Sequence, residues 1–105
     1  MPNPFRLSHT RLSVLKEFMR ERDAEFSGAD LMRACGLAAG SLYPILYAFE
    51  RHKLLESKWE SERPHDLGRP RRRLYRITPL GIRTATEAGV DLSPLIKPFP
   101  KVAEQ

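Results

Sequence analysis

A chain of 105 residues has room for one small hydrophobic core, so any function has to fit on a single compact unit. No run approaches the roughly eighteen apolar residues of a membrane span, the N-terminus MPNPFRLSHT lacks the apolar stretch of a signal peptide, and a lone Cys35 excludes an internal disulfide. These features predict a cytoplasmic protein with Cys35 as a buried structural thiol, and the net charge of +5 directs attention to where the excess lies. Between Arg63 and Arg76 stand six arginines and one acid, Asp66, while the rest of the chain carries twelve basic and twelve acidic residues. One short segment therefore supplies the whole excess, and clustered guanidinium groups fork onto phosphate oxygens.

Taken in order, residues 1–7 read as an N-terminal arm, residues 8–89 as the folded domain and residues 90–105 as a Pro-rich tail. Ser8 or Thr10 caps a first helix running to about Arg22, whose amphipathic stripe is Leu7, Arg11, Val14, Leu15, Phe18 and Met19. Its charges nearly balance, which predicts scaffold. Ser27 followed by Asp30 has the spacing of a capping box and opens a short helix with Leu31, Met32 and Cys35 inward, which Gly36 stops in the left-handed conformation.

The next stretch, Gly40 to Glu50 (GSLYPILYAFE), is the one the rest of the chain is arranged to hold. Leu42, Ile45, Leu46 and Phe49 recur at i, i+3, i+4 and i+7, placing four apolar side chains on one helix face. Tyr43 and Tyr47 fall on another face with Ser41 beside them. Pro44 cannot sit deep in a helix, so the start belongs near Ala39 or Gly40 and the hydroxyls lie near the N-terminus, where free N–H groups and the macrodipole favour phosphate. Together the second helix, a turn of about three or four residues and this third helix have helix-turn-helix proportions.

Leu54 to Ser61 alternates Leu55, Ser57 and Trp59 with Glu56, Lys58 and Glu60, a strand pattern. The prolines and glycine of ERPHDLGRP mark a flexible loop, and RRRLYRIT returns as a second strand. Thr78 and Pro79 then cap a fourth helix through Leu80, Ile82 and Ala85 to about Ala88. The fold class is α+β, mostly α, in the order helix-helix-helix-strand-strand-helix: a winged helix-turn-helix.

Three separated motifs, GSLYPIL, LLESKW and RRRLYRITPLG, appear in this order across roughly Leu12 to Ala88, and the combination resembles the PadR-type transcriptional regulators. The resemblance implies that the LYP helix enters the major groove and that the arginine-rich wing follows the adjacent backbone or minor groove. It places Ser41, Tyr43, Arg72 and Arg73 at or near DNA. Departures are visible too. Lys53 stands where the family usually has Gly, Tyr47 and Ala48 stand where Lys-Arg often follows, and Gly89, Pro94, Pro98 and Pro100 interrupt the place of the family's long dimerising helix.

The expected interface is thus double-stranded DNA, met by Ala38, Ala39, Ser41, Tyr43 and Tyr47 on the reading helix and by Arg63, Arg69, Arg71, Arg72 and Arg73 on the wing. The first helix and the C-terminal tail are the candidate surfaces for a homodimer. A winged helix that binds protein or RNA instead is the alternative, since the fold is reused that way. His9, His52 and His65 lack the spacing of a metal site, Ser41 lies outside a nucleophile elbow, and no nucleotide-binding glycine loop occurs. No cofactor, metal or enzymatic activity is expected.

Overall fold

The computed structural model describes residues 8–89. Helix α1 (His9–Arg20) is capped by Ser8, whose side chain accepts the Arg11 N–H, and is followed by the two-residue strand β1 (Phe26–Ser27). Helix α2 (Gly28–Cys35) opens on the expected capping box: Asp30 N–H donates to Ser27 Oγ and Ser27 N–H donates to Asp30 Oδ2. That backbone bond is the first reason the Asp30 carboxyl is held below its usual range. Gly36, at φ 67°, ends α2 in the left-handed region, and three residues later α3 (Ala39–Arg51) begins.

Strand β2 (Leu55–Trp59), the short helix α4 (Pro64–Leu67), strand β3 (Arg73–Ile77) and helix α5 (Pro79–Glu87) complete the described residues. The three strands form one antiparallel sheet in the order β1-β3-β2. Two details differ from the sequence reading. The strand β1 is too short to leave an alternating pattern, yet it pairs Phe26 with Tyr75 and Ser27 with Leu74, making β3 the central strand. The loop read as flexible contains α4, started by Pro64 at its first turn and closed by Gly68 at φ 69°.

Helix α3 supplies the middle of the core. Leu42, Leu46 and Phe49 are fully buried and Ile45 nearly so, packed with Val14, Leu15, Phe18 and Met19 of α1, Leu31 of α2, Leu55 of β2, Ile77 of β3 and Ala85 of α5. Phe26 adds an edge-to-face contact on Phe18, with ring centroids 5.2 Å apart. Each fully buried Leu or Phe contributes about 1.5–3 kcal/mol relative to exposure. The rotation of α3 about its axis is fixed by this stripe.

The junction after α3 is tied at one carbonyl. Leu54 O accepts from Thr78 N–H (3.0 Å) and from Thr78 Oγ1 (3.1 Å), and the same hydroxyl lies 2.7 Å from Lys53 O. Thr78 also caps α5, accepting the Gly81 N–H at 2.9 Å. A Cβ on Gly81 would collide with the Leu54 carbonyl oxygen, so only glycine lets α5 start this close. Lys53 itself adopts φ 65°, the left-handed conformation a glycine takes without cost.

The wing is ordered by an acid. Glu60 receives both terminal nitrogens of Arg69 (2.8 and 3.1 Å) and the Arg72 backbone N–H (2.9 Å). Arg71 Nε donates to Glu62 O at 2.9 Å, and Glu60 N–H to Arg72 O at 2.9 Å. The Arg69 bonds first, then the Arg72 N–H, hold the Glu60 carboxyl down at about 2.

Two outcomes follow from these contacts. Replacing Lys53 by Gly removes a left-handed side-chain penalty and should raise stability by about 1 kcal/mol in urea unfolding, whereas a loss would contradict the strain. A carboxyl with a lowered folded-state value stabilises the wing above its unfolded value of 4.5, and that contribution disappears as pH falls toward 2. Carbon-detected titration of Glu60 should therefore show a midpoint near 2, moving up in Arg69→Ala. A midpoint at 4.5 in the unsubstituted chain would show that the latch does not form.

Candidate nucleic-acid interface

With its stripe buried, α3 turns the opposite face outward. Ala38, Ala39 and Ser41 are exposed at its start, and Tyr43 and Tyr47 are 45% and 63% exposed one and two turns on. Ala38 is the N-cap; its carbonyl accepts the Ser41 and Leu42 N–H groups, but it has no side-chain oxygen, so the start of α3 receives no side-chain capping bond. Pro44 lies in the second turn, tolerated close to the start. The free backbone donors, the positive end of the macrodipole and the Ser41 hydroxyl thus meet at one exposed point.

Tyr43 leans across to the neighbouring helix. Its hydroxyl occupies the space that a Cβ on Gly28 would need, at the first residue of α2. Helix-turn-helix packing and the position of this ring are therefore one constraint. Further along α3, Arg51 reaches back to Tyr47, with Nη1 at 3.5 Å from the hydroxyl and the guanidinium 5.8 Å from the ring centroid.

The wing stands beside the same face. On the side of the sheet toward α3, the paired residues run from buried Leu55 and Ile77 through Ser57 and Tyr75 to Trp59 and Arg73. Trp59 is 57% exposed, with the Arg73 guanidinium 5.3 Å from its ring centroid. Burial first, then the nearby Glu50 carboxylate, raises the Tyr75 phenol above its ordinary value. Two clefts meet along this seam. One, of about 380 Å³, is lined by Ser27, Gly28, Ala29, Tyr43, Trp59, Arg71, Arg72, Arg73 and Tyr75; the other, of about 560 Å³, by Tyr43, Tyr47, Glu50, Arg51, Arg73 and Tyr75. They share Tyr43, Arg73 and Tyr75, so the two adjoin as a trough between α3 and the wing.

The predicted wing arginines do not stand alike. Arg71, Arg72 and Arg73 line the trough, and the charge of Arg72 reaches Asp30 at the start of α2. Arg69 is committed to Glu60 in a bidentate pair, and Arg63 lies beside Asp66 at 3.6 Å on α4. The arrangement brings Tyr43, Tyr47 and three of five arginines to one trough, leaves Ala38, Ala39 and Ser41 exposed at the start of α3 outside its lining, and keeps Arg63 and Arg69 in the loop of the wing.

Residues not singled out from the sequence also belong here. Glu50 and Arg51 follow Tyr43 by seven and eight positions, a spacing that places them on its face of α3, and this was the readable signal. Gly28 gave no signal, because the ring that needs its missing Cβ arrives from another helix. Cys35 is half-buried with Sγ 4.0 Å from Ser13 O, and burial pushes its thiol up, which suits packing and not nucleophilic chemistry. Among the described residues no group of His, Cys, Asp and Glu is arranged to hold a metal, and no helix is long and apolar enough to cross a membrane.

Solved structures share this architecture. A PadR-like transcription factor from Bacteroides fragilis superposes with a TM-score of 0.62 at 17% identity, over 83% of this chain and 85% of that one. A PadR family transcriptional regulator from Eggerthella lenta DSM 2243 gives 0.61 at 22% identity, over 83% and 78%. The transcriptional regulator BldR from Sulfolobus solfataricus gives 0.63 at 21% identity, over 86% of this chain and 58% of that one. At such identities the likeness establishes the winged-helix fold. No curated protein matches the chain. The family model described as the transcriptional regulator PadR-like family matches residues 29–87, from the first turn of α2 to the end of α5, which is more than half of the sequence. The chain therefore belongs to the PadR family of DNA-binding transcription regulators.

Proposed function

We propose that the domain is a sequence-specific repressor that acts by occupying double-stranded DNA, with α3 in the major groove and the wing on the adjoining backbone or minor groove. The observation that carries this reading is the shared trough: the exposed face of α3 and the arginines Arg71, Arg72 and Arg73 flank one concave seam. A duplex laid along it meets both at once.

The division of labour follows from chemistry. Ala38, Ala39, Ser41, Tyr43 and Tyr47 present methyl groups, hydroxyls and ring carbons, which suit base edges and thymine methyls. Arg71 and Arg72 hold phosphates, or one of them enters a narrow minor groove, while Arg73 stands beside them at the trough, engaged by Glu50 and Ser57. Arg69, locked on Glu60, and Arg63, beside Asp66, add their charge at longer range while keeping the wing in shape. Base contacts select the site and wing contacts hold it. The proposed place of action is the cytoplasm. A two-fold dimer through α1, or through residues 90–105, which lie outside the described residues, implies a palindromic operator with half-sites about one helical turn apart.

The test is to select a preferred duplex from a random-sequence pool, then titrate it and a scrambled duplex of equal length at two salt concentrations. Preference by about a hundredfold or more, with steep salt dependence on both, is expected. Arg72→Ala should weaken both and flatten the salt slope by about one, whereas Ser41→Ala and Tyr43→Phe should cost roughly 1 kcal/mol mainly on the selected duplex. Equal losses on both duplexes for all three variants would contradict the division of labour. No binding at low salt would move the function to a protein partner.

A further inference from the structure

Glu50 is an anomaly on a surface that receives a polyanion. It is an acid on the reading helix, it lines the trough, and its side chain is 35% exposed. A carboxylate there repels phosphate unless it has another task. Its contacts show one. Ser57 Oγ donates to Glu50 Oε2 at 2.5 Å, Arg73 Nε donates to the same Ser57 Oγ at 2.9 Å, and Arg73 Nη2 lies 3.5 Å from Glu50 Oε2. The guanidinium is also stacked against Trp59. One acid on α3 thereby holds a hydroxyl on β2 and a cation on β3.

We infer that Glu50 is a positioning residue for DNA recognition: it restrains Arg73 from engaging phosphates indiscriminately and fixes the angle between the reading helix and the wing. This rests on the DNA-binding reading above. Two physical effects are combined. First, a cation already paired with a carboxylate releases few counterions when DNA arrives, so Arg73 contributes little to the salt slope while Arg72 contributes fully. Second, the Arg73–Ser57–Glu50 chain is a short hydrogen-bonded strut across the trough. A selected duplex, which must satisfy α3 and the wing together, depends on the strut's geometry. A random duplex, held through phosphates alone, does not.

Two substitutions on this one contact should then behave differently. Glu50→Gln frees Arg73 and removes a negative charge, so binding to a random duplex should tighten about three- to tenfold at low salt and the slope should steepen by about one. The selected duplex gains the same phosphate contact but loses the fixed geometry, so the selected-over-random ratio should narrow by about threefold or more. Arg73→Ala alone should leave the slope nearly unchanged, and adding it to Glu50→Gln should abolish the gain on random DNA.

The measurement is titration of the full chain and these three variants against both duplexes at several salt concentrations, with unfolding midpoints recorded alongside. Equal weakening of Glu50→Gln on both duplexes with an unchanged slope would mean that Glu50 only supports the fold, and would overturn the inference. So would no change, or a slope that steepens equally with and without Arg73. Failure of the unsubstituted chain to bind either duplex would overturn the DNA reading and this inference with it. Binding by the unsubstituted chain with an unresponsive Glu50→Gln overturns the inference alone.

Discussion

Burial of the α3 stripe is the constraint on which the rest depends. Leu42, Ile45, Leu46 and Phe49 cannot leave the core of a small domain without exposing three of its eight largest fully buried side chains, Leu42, Leu46 and Phe49. A helix anchored on one face has no rotational freedom, so the direction of Ser41, Tyr43, Tyr47 and Glu50 is set by residues that never approach a partner. The core therefore aims the surface. Tyr43 extends this control to α2, since its hydroxyl lies where Gly28 has no side chain.

The wing is held by a different kind of contact. Apolar packing fades along the strands, from buried Leu55 and Ile77 to exposed Trp59 and Arg73, and polar bonds take over where it ends. Near the body, the Leu54 carbonyl ties the end of α3 to the start of α5 through Thr78. Midway, Glu50 joins α3 to Ser57 and Arg73. At the tip, Glu60 clamps Arg69 and the Arg72 backbone. Much of the cluster that makes the chain basic is thus employed in shaping the wing, and Arg71 and Arg72 are left to present charge at its surface.

Local signals were legible in the sequence and distant ones were not. Ser27 with Asp30, Gly36, Thr78 with Pro79, and the i, i+3, i+4, i+7 stripe each encode their structure within a few residues, and each appears as read. The Lys53 departure was visible as a missing glycine and appears as a left-handed lysine. Strand β1 was hidden because two residues carry no period, and its partner lies 49 positions away from Phe26 at Tyr75. Helix α4 was masked by the prolines and glycine that begin and end it. The partners of the wing arginines were equally hidden, because nothing local says that Glu60 will meet Arg69 across a hairpin loop or that Glu50 will meet Arg73 across the trough. Arginine count reports charge, and only the fold reports which arginines are already engaged.

We propose that one face, made of the exposed side of α3 and the wing arginines beside it, receives the duplex. Mapping amide and side-chain resonances of the isotopically labelled chain as its selected duplex is added tests this directly. The predicted result is that the shifts concentrate on Ala38–Tyr47 of α3 and on Arg71–Arg73, with α1 and α5 changing little outside any dimer contact. Shifts confined to α1 and α5, or to the outer face of the sheet around Lys58 and Arg76, would contradict it.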